Sequence, residues 1–89
     1  MGAGLDAAEL ALFERARDAE SRGSYGQAIR AYGIVISQEP GYAPAVLGKA
    51  RCLEASQRPE QALEVYRTVP MEAEAAWAMA RILSDMGRY

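Results

Sequence analysis

The side chains able to do chemistry in this sequence are few and of a narrow kind. Histidine is absent, which removes the commonest general base and the commonest zinc ligand. The one cysteine, Cys52, cannot form an internal disulfide, and the run Ala50-Arg51-Cys52-Leu53 reads as helix with the thiol turned towards a neighbour. A buried structural thiol is expected there rather than a reactive one. Glu72 and Glu74 could act as a carboxylate pair, but at the start of a helical stretch they read more simply as the acidic first turn that a helix dipole favours. No nucleophile, base and orienting group can be assembled, so neither catalysis nor a metal or cofactor is expected. What remains is arginine. Arg17, Arg51 and Arg81 stand at matching places in successive helical stretches, each four residues after an apolar one, Phe13, Leu47 and Trp77. That spacing puts both rows on one side of the helices that carry them.

Those helices can be read from start and stop signals. Asp6 followed by Glu9 has the order of an N-cap with a carboxylate that reaches back, and the first helix should run to about Arg22, where Gly23 stops it. A turn through Gly23-Ser24-Tyr25-Gly26 leads to a second helix that Pro40-Gly41 ends. A third begins near Ala43-Pro44, with proline tolerated in the first turn, and reaches about Ser56. Pro59 opens a fourth, which Pro70 halts, and a fifth is predicted from about Glu72 to Met86, stopped by Gly87. The residues that dominate, Ala, Glu, Leu and Arg, are strong helix formers. The chain is therefore predicted to be all-α.

The sequence also repeats itself. Ala16, Ala28 and Tyr32 recur 34 residues later as Ala50, Ala62 and Tyr66, Arg17 and Glu20 recur as Arg51 and Glu54, and Gly23-Ser24-Tyr25 aligns with Gln57-Arg58-Pro59. On these residues, from about Glu9 to Tyr89, the chain resembles the tetratricopeptide repeat family, whose units carry a small residue in the first helix, Ala-x-x-x-aromatic in the second and a closing proline. Ala28-x-x-x-Tyr32, Ala62-x-x-x-Tyr66 and Pro40 fit that pattern. The resemblance implies a right-handed superhelical array of antiparallel helix hairpins, about two and a half units in five helices. Residues 1–8 form a lead and cap, 9–42 the first unit, 43–72 a second unit with a shortened second helix, and 73–89 the first helix of a third unit or a capping helix. Arg15 and Lys49 stand where the family usually has leucine, and the third unit follows the second by only 30 residues, which predicts an altered packing angle for the fifth helix. Gly87-Arg88-Tyr89 aligns with Gly23-Ser24-Tyr25, so the sequence reads as a piece cut from a longer array more readily than as a natural end. Ile82, Leu83 and Met86 should then expose an apolar edge and favour self-association.

In this family the first helix of each unit lines a concave face, and the resemblance thereby implies that Phe13, Arg17, Leu47, Arg51, Trp77 and Arg81 line a groove for a protein or peptide with apolar anchors and carboxylates. The plainer reading keeps Arg17 with Glu20 and Arg51 with Glu54 as surface ion pairs within one helix, and Phe13 and Trp77 as partly core. Gly48 either opens room for a ligand side chain or is a neutral surface glycine. The subclass that grips acidic chaperone tails uses lysine, asparagine and arginine at positions that here are Phe13, Arg17, Gly48, Glu74 and Ala78, so that activity is not expected.

The chain's charge narrows the partner. A net charge of −2 with both signs interspersed, and Lys49 as the single lysine, argues against nucleic-acid binding, and an RNA-contacting repeat is the remote alternative. No apolar run approaches a membrane span. The opening Met1-Gly2-Ala3-Gly4-Leu5 lacks a basic region leading into an apolar core, and Asp6 weakens a myristoylation reading of Met1-Gly2. A cytoplasmic protein-binding scaffold is the leading expectation, with self-association through the terminal helix as the alternative.

Overall fold

The computed structural model describes residues 4–87 and contains five α-helices in chain order: α1 (Ala7–Ser21), α2 (Tyr25–Gln38), α3 (Ala43–Ala55), α4 (Pro59–Tyr66) and α5 (Ala73–Asp85). The Met1-Gly2 and Arg88-Tyr89 readings lie outside the described residues. Each helix packs against the next, and α1 also touches α3. The molecule measures 42 × 30 × 17 Å, a slab two helix layers thick rather than a ball.

Local chemistry starts and stops these helices. Asp6 and Glu9 form a capping box: the Glu9 N–H donates to Asp6 Oδ1 at 2.8 Å and the Asp6 N–H to Glu9 Oε1 at 3.1 Å. At the other end of α1 the Ser24 N–H donates to the Ala19 carbonyl and the Gly23 N–H to that of Glu20, with Gly23 at φ +81°. The end of α3 repeats this Schellman arrangement, Arg58 N–H to Leu53 and Gln57 N–H to Glu54. There the left-handed position is held by Gln57 at φ 64° rather than by glycine.

One boundary differs from the sequence reading. α4 ends at Tyr66 rather than running on to Pro70. Its last turn tightens, the Thr68 and Val69 N–H groups donating to Val65 and Tyr66, and the Thr68 hydroxyl also donates to the Val65 carbonyl at 2.7 Å. Val69 precedes proline and is biased away from helix. The side-chain hydroxyl offers the chain an alternative to the helical ladder.

The core has two parts joined by α3. Phe13, Ala16, Ala19, Ala28, Tyr32, Val35, Ala45 and Cys52 pack between α1, α2 and α3. Val46, Leu47, Ala50, Leu53, Ala62, Tyr66, Val69, Ala75, Ala78 and Ile82 pack on α3, α4 and α5. The repeated alanines Ala16, Ala28, Ala50 and Ala62 are all fully buried, as close helix approach within each hairpin requires. Cys52 is fully buried too, and burial together with the nearby Glu20 carboxylate pushes its thiol pKa up to about 11.

Two sequence expectations are corrected by this packing. Gly48 is neither open room for a ligand nor a neutral surface glycine: it is buried under the Tyr32 ring, and a methyl group there would overlap the ring, with Cε2 at 2.7 Å. Ile82 does not form an exposed edge. It is 2% exposed, because it follows Ala75 and Ala78 along the face of α5 that meets the core, and burying it contributes about 2 kcal/mol. Met86 packs against the same cluster. Leu83 alone of the three is directed away from that core, and it is half-buried.

Two stability predictions follow from the backbone. Gly48→Ala should destabilise by about 2 kcal/mol despite alanine's better helix propensity, since overpacking outweighs it; urea denaturation showing a gain would refute the wedge. Gln57→Gly should stabilise by about 0.5–1 kcal/mol by relieving the left-handed strain, read as a higher melting temperature.

Candidate functional site

The arginine row was expected to present three open guanidinium forks, and the structure divides it. Arg51, on α3, is occupied on both sides. Its Nε donates to Glu20 Oε2 at 2.8 Å and one terminal nitrogen to Glu20 Oε1 at 3.3 Å, while the other donates to Glu74 Oε2 at 2.8 Å. Arg81, on α5, donates to Glu54 Oε1 at 2.5 Å and lies 5.0 Å above the Trp77 ring. Arg17, on α1, is exposed, approaches the Phe13 ring at 5.9 Å and has no salt bridge among the described residues. It is the guanidinium in the row that is available to a carboxylate from outside.

The pairing corrects the reading of local ion pairs. Glu20 bonds Arg51 of the following unit rather than Arg17, and Glu54 bonds Arg81 rather than Arg51. Each glutamate also accepts a hydrogen bond from the tyrosine of its own hairpin, Tyr32 Oη to Glu20 Oε1 and Tyr66 Oη to Glu54 Oε2, both at 2.7 Å. The result is a repeated tyrosine–glutamate–arginine relay that stitches each unit to the next. The tyrosine lies 12 residues from its glutamate in both units, while the arginine lies 31 residues away in one and 27 in the other. The four-residue difference is the shortening of the second unit. Glu20 and Glu54 were visible in the sequence as a repeat, and the spacing of 12 to each tyrosine was the signal for a fixed partner. The spacing of three to the nearest arginine pointed elsewhere because i,i+3 neighbours on a helix are within reach in any case.

Electrostatics follow from this geometry. Burial raises the Glu20 pKa, but hydrogen bonds from Arg51 and Tyr32 outweigh it and hold the carboxyl below its ordinary value. Hydrogen bonding to Glu20 raises the Arg51 pKa, and burial with the hydrogen bond to Glu20 raises that of Tyr32, so the tyrosine remains a neutral donor.

The apolar row is divided as well. Phe13 and Leu47 are each 8% exposed, Phe13 meeting Tyr42 edge-on at 5.3 Å and Tyr32 at 5.8 Å. Trp77 is 66% exposed. The first two therefore form a floor held in the core, while Trp77 stands out. A depression of about 510 Å³ lined by Arg17, Glu20, Ser21, Tyr25, Arg51 and Ala55 brings the first two arginines together. Its repeat equivalent, about 280 Å³, is lined in part by Glu54, Pro59, Arg81 and Asp85. A more apolar groove of about 480 Å³ lined in part by Ile36, Val46, Leu53 and Val65 contains none of the expected site residues. Among the described residues no group of three or more His, Cys, Asp or Glu could hold a metal ion, and no helix is long and apolar enough to cross a membrane.

The relay predicts a pH signature. A carboxyl whose folded pKa lies below its unfolded value contributes stability that is complete above the unfolded pKa and lost as pH falls through the folded one. Glu20→Gln should cost about 1–2 kcal/mol at neutral pH and flatten the loss of stability that the unaltered chain shows on acidification below about pH 4.5. Denaturation at a series of pH values tests this, and equal acid sensitivity of both chains would exclude Glu20 as the responsible group.

Comparison with curated proteins returns no match. A sequence profile described as tetratricopeptide repeat matches residues 19–82, well over half of the chain, running from the end of α1 into α5. With five consecutively packed helices, buried alanines at each hairpin crossing and a period of 34 residues behind it, that match shows that the chain belongs to the tetratricopeptide repeat family.

Proposed function

We propose that this chain is a docking module that holds a segment of another protein in a groove along its first-helix face, with Arg17 and Trp77 as the principal contacts. Tetratricopeptide repeats generally serve as protein-interaction scaffolds, and the observation that carries the finer reading is the contrast within the two rows. Arg51 and Arg81 are held by internal carboxylates, whereas Arg17 has no salt bridge among the described residues and Trp77 is 66% exposed. An exposed tryptophan whose ring already carries a guanidinium offers apolar area at low entropic cost. A fork-shaped cation at the other end suits a carboxylate, which it can bind bidentately. The ligand is therefore a segment with an apolar anchor and an acidic side chain or free C-terminus some distance from it. Phe13 and Leu47 support the groove from beneath, and Arg51 and Arg81 shape its wall while binding the units together.

Trp77 is the sole tryptophan, so its fluorescence reports directly on occupancy. Screening an array of peptides that pair apolar and acidic residues should yield binders that shift its emission. Arg17→Glu should weaken those binders about tenfold, near 1.4 kcal/mol, and their affinity should fall with added salt. Binders indifferent to Arg17→Glu and to salt would refute the assignment of the carboxylate site.

A further inference from the structure

α5 has two faces of opposite character. Ala75, Ala78 and Ile82 meet the core. On the far side, the 3.6-residue period gathers Ala73, Ala76, Trp77, Ala80, Leu83 and Ser84 within about 120° of arc. None of them is charged, in a chain that is 25% charged, and all are exposed except the half-buried Leu83. The helix at the other end of the array is unlike it. The side of α1 turned away from the core carries Glu14, Arg15, Asp18 and Arg22, all exposed, with Arg22 and Asp18 paired at 3.3 Å. One end is polar, and the other has kept an apolar face.

The repeat supplies the use of such a face. Ala80 occupies the place that Ala16 and Ala50 occupy in the two earlier units, and both of those are fully buried where another helix crosses on an alanine of its own, Ala28 or Ala62. We propose that the outward face of α5 is a contact surface for a second copy of the chain, the two α5 helices lying antiparallel about a two-fold axis at Ala80. In a two-fold contact a surface meets itself, so a charged face would set like charges together. The absence of charge on this face removes that penalty. Alanine on alanine at the axis reproduces the close crossing already present twice within the molecule. Trp77 then falls over Leu83 of the other copy, three residues from the axis in each direction, and the antiparallel helix dipoles oppose each other favourably. The strip is about 20 Å long and about 10 Å wide, well short of the ~800 Å² per partner of a stable interface, so the pair forms weakly and reversibly. Trp77 borders the arginine row as well, so pairing and the docking of a segment compete for it.

Sedimentation equilibrium of the 89-residue chain from about 10 μM to about 1 mM, the range of weak assemblies, tests the proposal. The expected result is a monomer–dimer equilibrium that Ala80→Glu abolishes, with helix content by circular dichroism unchanged because Ala80 is exposed, and that Arg22→Glu at the opposite end leaves intact. In a Cys52→Ala background, Ala80→Cys should give a disulfide-linked dimer on oxidation. Ala73→Cys should not, since its two copies lie about 20 Å apart across the axis. A monomer at every concentration, a dimer indifferent to Ala80→Glu, or equal cross-linking of the Ala73→Cys and Ala80→Cys chains would overturn the proposal.

Discussion

Tyr32 has to be buried whole, ring and hydroxyl together, and the arrangement of the first two units answers that demand. The ring fills the space over Gly48, where no other residue type leaves room, so α2 comes close to α3. A phenol buried in this way needs a partner for its hydroxyl, because an unsatisfied one costs about 1–3 kcal/mol. Glu20 provides the acceptor and must itself be neutralised, which Arg51 from the next unit does. Each member of the set solves a problem created by the one before. The outcome is a polar bond between units that could not be stacked by apolar contact alone, since the residues at the hairpin crossings are alanines of small area.

The same device operates between the second and third units with altered parts. α4 is eight residues long where α2 has fourteen, and the position matching Gly48 is Ala78. Tyr66 still reaches Glu54, and Glu54 still reaches Arg81. The hydrogen bonds have been kept while the apolar packing has thinned, α4 and α5 meeting less extensively than α2 and α3. Directional bonds of fixed length tolerate a change in helix length better than interlocked side chains do, because only their end points must be preserved. The cost is a third unit held by fewer apolar contacts. The Arg51 bond to Glu74 at the start of α5 adds a second tie there.

This economy of arginine decides where the molecule can meet a partner. A guanidinium held by two carboxylates, as Arg51 is, has its donors directed inwards and makes a poor first contact for another protein. Structural and recognition roles thus fall to different members of one repeated row. The distinction is set by whether a preceding unit supplies a glutamate, since Arg51 and Arg81 each have one and Arg17 is not paired with any among the described residues.

Much of the architecture was legible from the residues alone. The period of 34, the alanines at the crossings, the capping box at Asp6 and the turns at Gly23 and Gln57 are local or periodic features, and local features act through short-range sterics and hydrogen bonds that a sequence states directly. Five helices in consecutive contact follow from them. Tertiary structure alone decided which carboxylate each arginine takes, that Gly48 serves Tyr32, that Phe13 and Leu47 lie beneath the surface while Trp77 stands above it, and that Ile82 faces inwards. Those outcomes depend on how far one helix is rotated and shifted against the next. A rotation of one residue's arc, about 100°, exchanges a buried position for an exposed one, and no spacing within a single helix encodes it.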